Sequence, residues 1–96
     1  MRINTLLGIK EVMTDEGASF TLRYYLIQDI KTEAGGREVY GVGVVKCREN
    51  GPEEREWLPG LTESKEKAEE LVKQFMEGVV TPVAAAAAAD DWAGKK

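Results

Sequence analysis

Between Ser19 and Arg48 the chain is written in twos. Phe20, Leu22, Tyr24, Leu26 and Ile30 fall on one parity; Thr21, Arg23, Tyr25, Ile27 and Asp29 fall on the other. After residues 31–36, which end in two glycines, Tyr40, Val42 and Val44 alternate with Val39, Gly41, Gly43, Val45 and Cys47. A two-residue period rich in aromatic and β-branched types specifies strands with two distinct faces. Gly35 and Gly36 are free to take positive φ, so the strands over 19–30 and 37–48 are predicted to form an antiparallel hairpin. A looser alternation of Ile3, Leu7, Ile9 and Met13 predicts an earlier strand over about 5–14, and Asp15–Ser19 suits the turn after it. Asn50-Gly51-Pro52 marks another turn, and residues 54–59 predict a short strand ended by Pro59.

From residue 60 the period changes. Ala68, Leu71, Val72, Phe75 and Met76 lie at i, i+3, i+4, i+7 and i+8, an apolar stripe on a helix within the segment 60–78. Thr62 is the expected N-cap and Gly78 the expected left-handed C-cap glycine. Glu63 with Lys67, and Glu69 with Lys73, have the favourable i,i+4 order. Gly41 and Gly43 offer a side-chain-free strip for close approach of this helix, or mark a bulge. Thr81-Pro82 then reads as an N-cap with proline at N1, opening a second helix over 82–92 that contains six consecutive alanines. Short turns between strands imply a meander. The expected fold is α+β: an antiparallel three- or four-stranded meander, one helix packed on a face, and a second, C-terminal helix. Residues 1–80 form the α+β domain; 81–96 form the alanine-rich helix and tail.

The chemistry is constrained chiefly by what these 96 residues lack. There is no histidine, so the commonest general base and metal ligand are missing, and no catalytic, cofactor or metal site is inferred. The single Cys47 excludes an intrachain disulfide and suits the cytoplasm; it reads as a packed thiol before a reactive one. The carboxylate runs 53–57 and 66–70 are explained by a solvated strand edge and helix face. No apolar stretch is long enough to span a membrane.

Three strands followed by a helix resemble part of the double-stranded RNA-binding module. That module, however, opens with a helix and carries a basic cluster on its last one. Here residues 62–77 hold five acids against three lysines, and the net charge is −4, the wrong sign for a phosphate backbone. Arg23 and Tyr25 on the open sheet face could still make a stacking platform, or simply pack across strands.

Residues 57–82, from Trp57 to Pro82, resemble an uncharacterised family of small bacterial proteins known only as a domain of unknown function. Its pattern is a strand meander, Gly-Leu-Ser/Thr, a charged amphipathic helix, and a Val-x-Pro exit into an acidic tail helix. Gly60, Leu61, Thr62, Leu71, Val72, Val80 and Pro82 carry the match. Members tend to follow the proline with His-Leu, where this chain has Val83-Ala84. The resemblance implies a fold and no activity.

The alanine run needs few tertiary contacts to be helical. Ala85, Ala88, Ala89 and Trp92 make a smooth stripe with one large anchor, suited to the domain's own core or to another chain. The functional expectation is a non-enzymatic protein-interaction or regulatory module. It would bind a protein partner or itself through that stripe and through Arg23 and Tyr25. The alternative is a nucleic-acid-associated protein using the open sheet face. No small-molecule substrate is inferred.

Overall fold

The computed structural model describes residues 1–31 and 35–94. Four strands, β1 (Arg2–Met13), β2 (Ser19–Lys31), β3 (Arg37–Arg48) and β4 (Glu54–Thr62), form one antiparallel sheet in the order β1-β2-β3-β4. Two helices follow, α1 (Lys65–Glu77) and α2 (Pro82–Gly94). The domain is an α+β meander. The predicted loop at 31–36 falls partly on residues outside the described ones; Gly35 and Gly36 have the expected positive φ, 70° and 82°.

Both helices lie on one face. Leu22, Tyr24 and Leu26 of β2 and Tyr40, Val42 and Val44 of β3 point to it. They form a single core cluster with Ala68, Leu71, Val72 and Phe75 of α1 and Ala85 and Ala89 of α2. The two-residue and 3.6-residue patterns thus meet, and among the described residues no charged side chain is buried and the tyrosines Tyr24 and Tyr40 bring the core's hydroxyl groups. Tyr24, fully buried, donates its hydroxyl to Val80 O at 2.9 Å and so ties β2 to the junction between the helices.

Several expectations are corrected. β1 starts at Arg2, and it does not keep one parity. Its register against β2 jumps between Leu6 and Gly8, so Leu7 is an extra, bulged residue. A bulge reverses the facing of everything beyond it. Ile3 therefore shares the helix-side face, whereas Ile9 and Met13 share the opposite one. Pro59 does not end β4. The strand continues to Thr62 across an irregularity between the pairs Tyr40/Thr62 and Val42/Leu58, the kind of edge position where proline is tolerated.

Helix α1 is capped by Ser64, whose side chain accepts from Lys67 N at 3.2 Å; Thr62 instead accepts from Ser64 N at 3.1 Å. Glu63 lies before the helix and pairs with Arg37 of β3. Gly78 is right-handed, with φ −85°, and the left-handed residue is Val79, with φ 50°. Val79 N–H bonds Met76 O (3.2 Å) and Val80 N–H bonds Phe75 O (3.0 Å), the paired bonds of a Schellman ending shifted one residue past the glycine. Nor do Gly41 and Gly43 form a strip under the helix, since they lie on the other face of the sheet. The close approach to α1 is made at Gly8, where a Cβ would run into Met76 Sδ.

Candidate functional site: the helix-free sheet face

The register places three rows side by side on the face that carries no helix. Leu6, Tyr25, Gly43 and Trp57 form the central row. Ile9, Arg23, Val45 and Arg55 form one neighbour, and Asn4, Ile27 and Gly41 the other. Gly43 explains the central row. A Cβ there would overlap the Cε3–Cζ3 edge of the Trp57 ring, with Cη2 3.2 Å away, so the indole lies across the glycine where a side chain would otherwise stand. From there it reaches Tyr25, with ring centroids 5.4 Å apart and planes tilted by 57°, within the favourable range for aromatic pairs. Gly41 is different in kind. A Cβ there would meet Leu58 O, Pro59 Cα at 2.8 Å and Leu58 C at 2.9 Å, because the irregular part of β4 crosses over it.

With no helix above it, this face still buries Ile27 completely and Val39 and Val45 almost so. Leu6 and Ile9, by contrast, are 44% and 52% exposed and extend the apolar row to the sheet edge. Arg23 is exposed, and Arg55 pairs with Glu53. At the far end Arg2 grips Asp29 through two bonds, Nε–Oδ1 at 2.7 Å and Nη2–Oδ2 at 3.2 Å. That pair borders an open groove of about 350 Å³ floored by Val39 and Pro59.

The six residues singled out from sequence are not brought together. Arg23 and Tyr25 lie on the helix-free face. Ala85 and Ala89 are buried in the helix-side core, with Ala88 and Trp92 packed partly against it. Sequence reasoning missed Trp57 and the exposed apolar side chains of β1. The available signal for Trp57 was Gly43: a glycine inside a strand leaves a gap that a neighbouring aromatic ring fills.

The chemistry of the remaining groups is modest. The carboxylates of residues 53 and 54 are engaged: Glu53 with Arg55, Glu54 with Arg48 (2.9 Å) and Lys46 (3.8 Å). Among the described residues no three His, Cys, Asp or Glu side chains converge as a metal site would require. The half-buried Cys47 thiol lies 3.6 Å from Glu53 Oε2. Two phenols are perturbed: burial pushes Tyr24 up to about 12, and Tyr40 is raised first by its bond to Glu38 Oε2 (2.8 Å).

A family's sequence profile matches residues 3–95, nearly the whole chain, and is described as a family of unknown function. The chain belongs to the DUF6514 family. The strand meander and two helices are thus features of a DUF6514 domain. No curated protein and no solved structure matches the chain. Among the described residues no helix of this DUF6514 protein is long and apolar enough to cross a membrane.

Proposed function

We propose that this DUF6514 domain is a non-enzymatic protein-interaction module, working in the cytoplasm, whose contact surface is the helix-free sheet face. The observation that carries the proposal is the row Leu6–Tyr25–Trp57, with Ile9 beside it. It is an apolar and aromatic strip, half-buried at Tyr25 and Trp57 and exposed at Leu6 and Ile9, and among the described residues neither helix lies above it. Contiguous exposed apolar surface rimmed by charge is what protein contacts use, and tyrosine, tryptophan and arginine are the residue types that anchor them. Arg23 and the Arg55–Glu53 pair supply such a rim. The alanine stripe has another role in this reading: Ala85 and Ala89 hold α2 on the domain's own core.

A photoreactive side chain at Arg23 tests the proposal inside cells, with one at Glu66, exposed on α1, as the control. A discrete protein adduct at position 23, absent at 66 and lost with Tyr25→Lys, is the expected result. Equal labelling at both positions, or adducts indifferent to Tyr25→Lys, would sink it. A second reading, single-stranded nucleic acid, is favoured by the same Tyr25–Trp57 pair standing beside Arg23 and Arg55, since bases stack on aromatic rings next to cations. Anisotropy with a labelled oligonucleotide separates the two: binding that weakens steeply with salt and needs Trp57 belongs to the second.

A further inference from the structure

Strand β1 is an edge with an unusual property, and it follows from the bulge at Leu7. Met1 and Ile30 exchange both backbone hydrogen bonds, at 3.1 and 2.8 Å. In an antiparallel ladder the backbone groups then alternate. Ile3 and Thr5 turn theirs to β2, while Arg2, Asn4 and Leu6 turn theirs outward. Beyond the bulge the phase is reversed, as the bond from Thr14 N–H to Ala18 O (2.8 Å) also requires: Gly8, Lys10 and Val12 face β2, and Ile9, Glu11 and Met13 face outward. The six residues with outward backbone are the same six whose side chains share the helix-free face.

A strand of constant parity cannot pair with its own copy in a register whose paired numbers sum to an odd value, because inward groups would meet outward ones. The bulge removes that obstacle. We propose that β1 pairs antiparallel with β1 of a second copy of this chain, about a two-fold axis between Leu7 and Gly8, joining two sheets into one of eight strands. In that register Arg2, Asn4 and Leu6 form hydrogen-bonded pairs with Met13, Glu11 and Ile9 of the second copy. Ile3 and Thr5 stand opposite Val12 and Lys10. Every residue of β1 is used, apolar meets apolar at Leu6/Ile9 and Ile3/Val12, and polar meets polar at Asn4/Glu11 and Thr5/Lys10. Arg2 lies diagonal to the opposite Glu11, within reach of a long side chain, and no like charges are opposed.

The two edges of the sheet differ in the way this requires. β4 is guarded by Pro59 and by its irregular pairing around Gly41. β1 is twelve residues without proline, with Ile3, Leu6, Leu7, Ile9 and Met13 exposed in the single chain. Long, apolar, unguarded edges are templates for another strand. A seam of this length, ~40 Å at ~3.4 Å per residue, lies at the small end of specific interfaces, ~1,200 Å² in total, so the dimer is concentration-dependent. The seam shares the side chains of Leu6 and Ile9 with the sheet-face contact, but its pairing is carried by the outward backbone of β1 and does not need Tyr25 or Trp57.

Sedimentation equilibrium of the full chain tests it. The expected mass is twice 10.6 kDa at high concentration, falling to 10.6 kDa on dilution. Asn4→Pro deletes an outward N–H that β2 does not use and should give a folded monomer at every concentration. Should that variant lose its strand circular dichroism, Leu6→Lys with Ile9→Lys replaces it. Both side chains are exposed in the monomer, and the dimer would oppose lysine to lysine twice. The register is read with Thr5→Cys plus Lys10→Cys in a Cys47→Ser chain: the pair should link two copies through disulfides, and Thr5→Cys alone should not. Tyr25→Lys should leave the dimer intact. A parent chain that is monomeric throughout overturns the proposal. So does a dimer that survives both seam variants, one dissolved by Tyr25→Lys, or linkage as efficient with Thr5→Cys alone.

Discussion

Gly41 and Gly43 are two residues apart on one strand and one face, yet the same substitution should affect them very differently. Replacing either by alanine removes the intrinsic penalty of glycine in a strand, a gain of ~0.5–1 kcal/mol. At Gly43 the new methyl meets the outer ring of Trp57, which can swing off the sheet. The loss is then the Tyr25–Trp57 pairing, ~0.5–1.5 kcal/mol, and the net change is close to zero. At Gly41 the methyl meets Leu58 O, Leu58 C and Pro59 Cα, backbone atoms that move only if β4 moves. All three approaches are below the 3.0 Å that real Cβ atoms respect, the longest two being 2.8 and 2.9 Å, and Leu58 O is nearer still. Overpacking of this kind costs ~1–3 kcal/mol, and the added disruption of β3–β4 pairing puts Gly41→Ala at the upper end. With a urea slope of ~1–3 kcal/mol/M, Gly41→Ala should unfold ~1–2 M earlier than the parent, and Gly43→Ala near the parent's midpoint. In a Trp92→Phe background, Trp57 emission reports the second half: Gly43→Ala should shift it to the red in the folded state. Equal midpoint shifts, or a Gly41→Ala chain as stable as the parent, would refute the distinction between a backbone and a side-chain neighbour.

Phe75 is 2% exposed at the centre of the α1 stripe, so Phe75→Ala should cost about 3–5 kcal/mol, read as a urea midpoint far below the parent's. Val79 is held left-handed at φ 50°, a conformation worth ~1–2 kcal/mol against an L-residue. Val79→Gly should therefore raise the melting temperature by a few degrees, less than the full relief because glycine also loosens the unfolded chain. Tyr24→Phe leaves Val80 O without its donor and should cost ~1–3 kcal/mol at neutral pH. With the folded Tyr24 phenol at about 12 and the unfolded one near 10, its protonated form belongs to the fold. Its stabilising share is whole below pH 10 and is lost as pH rises toward 12, so Tyr24→Phe should flatten the alkaline limb of a stability–pH curve.

The strands of the central hairpin and the apolar stripe of α1 were legible because each repeats a period several times, and burial enforces the period. What escaped was set by single residues. One bulged leucine reversed the facing of half of β1, which alternation counted along the chain cannot reveal. Ser64 took the capping role because Thr62 was already bonded to Ser64 N, a choice made by β4 running on past Pro59. Gly78 and Val79 exchanged the expected roles because the Schellman bonds reach back to Phe75 and Met76, so the turn is placed by the helix's last carbonyls and not by where glycine stands. On the candidate surface, Tyr25 and Arg23 were found by parity alone. Trp57 was not, because its importance lies in what Gly43 lacks across the sheet.

Helix α2 meets the core mainly through alanines, with Trp92 packed only partly against it, and this sets how the domain opens. An alanine methyl removes little apolar surface from water, so docking thirteen residues of helix gains far less than the leucine, valine and phenylalanine stripe of α1 gains over the same length. The hydroxyl clasp from Tyr24 to Val80 sits just before α2 and does not depend on it. The last helix is therefore expected to lift away before the sheet and α1 open, as a weakly held cooperative unit. Its amides should exchange with solvent through small openings, and those of β2 and β3 only when the whole molecule unfolds. An alanine helix gives this fold a door that swings without disturbing the wall.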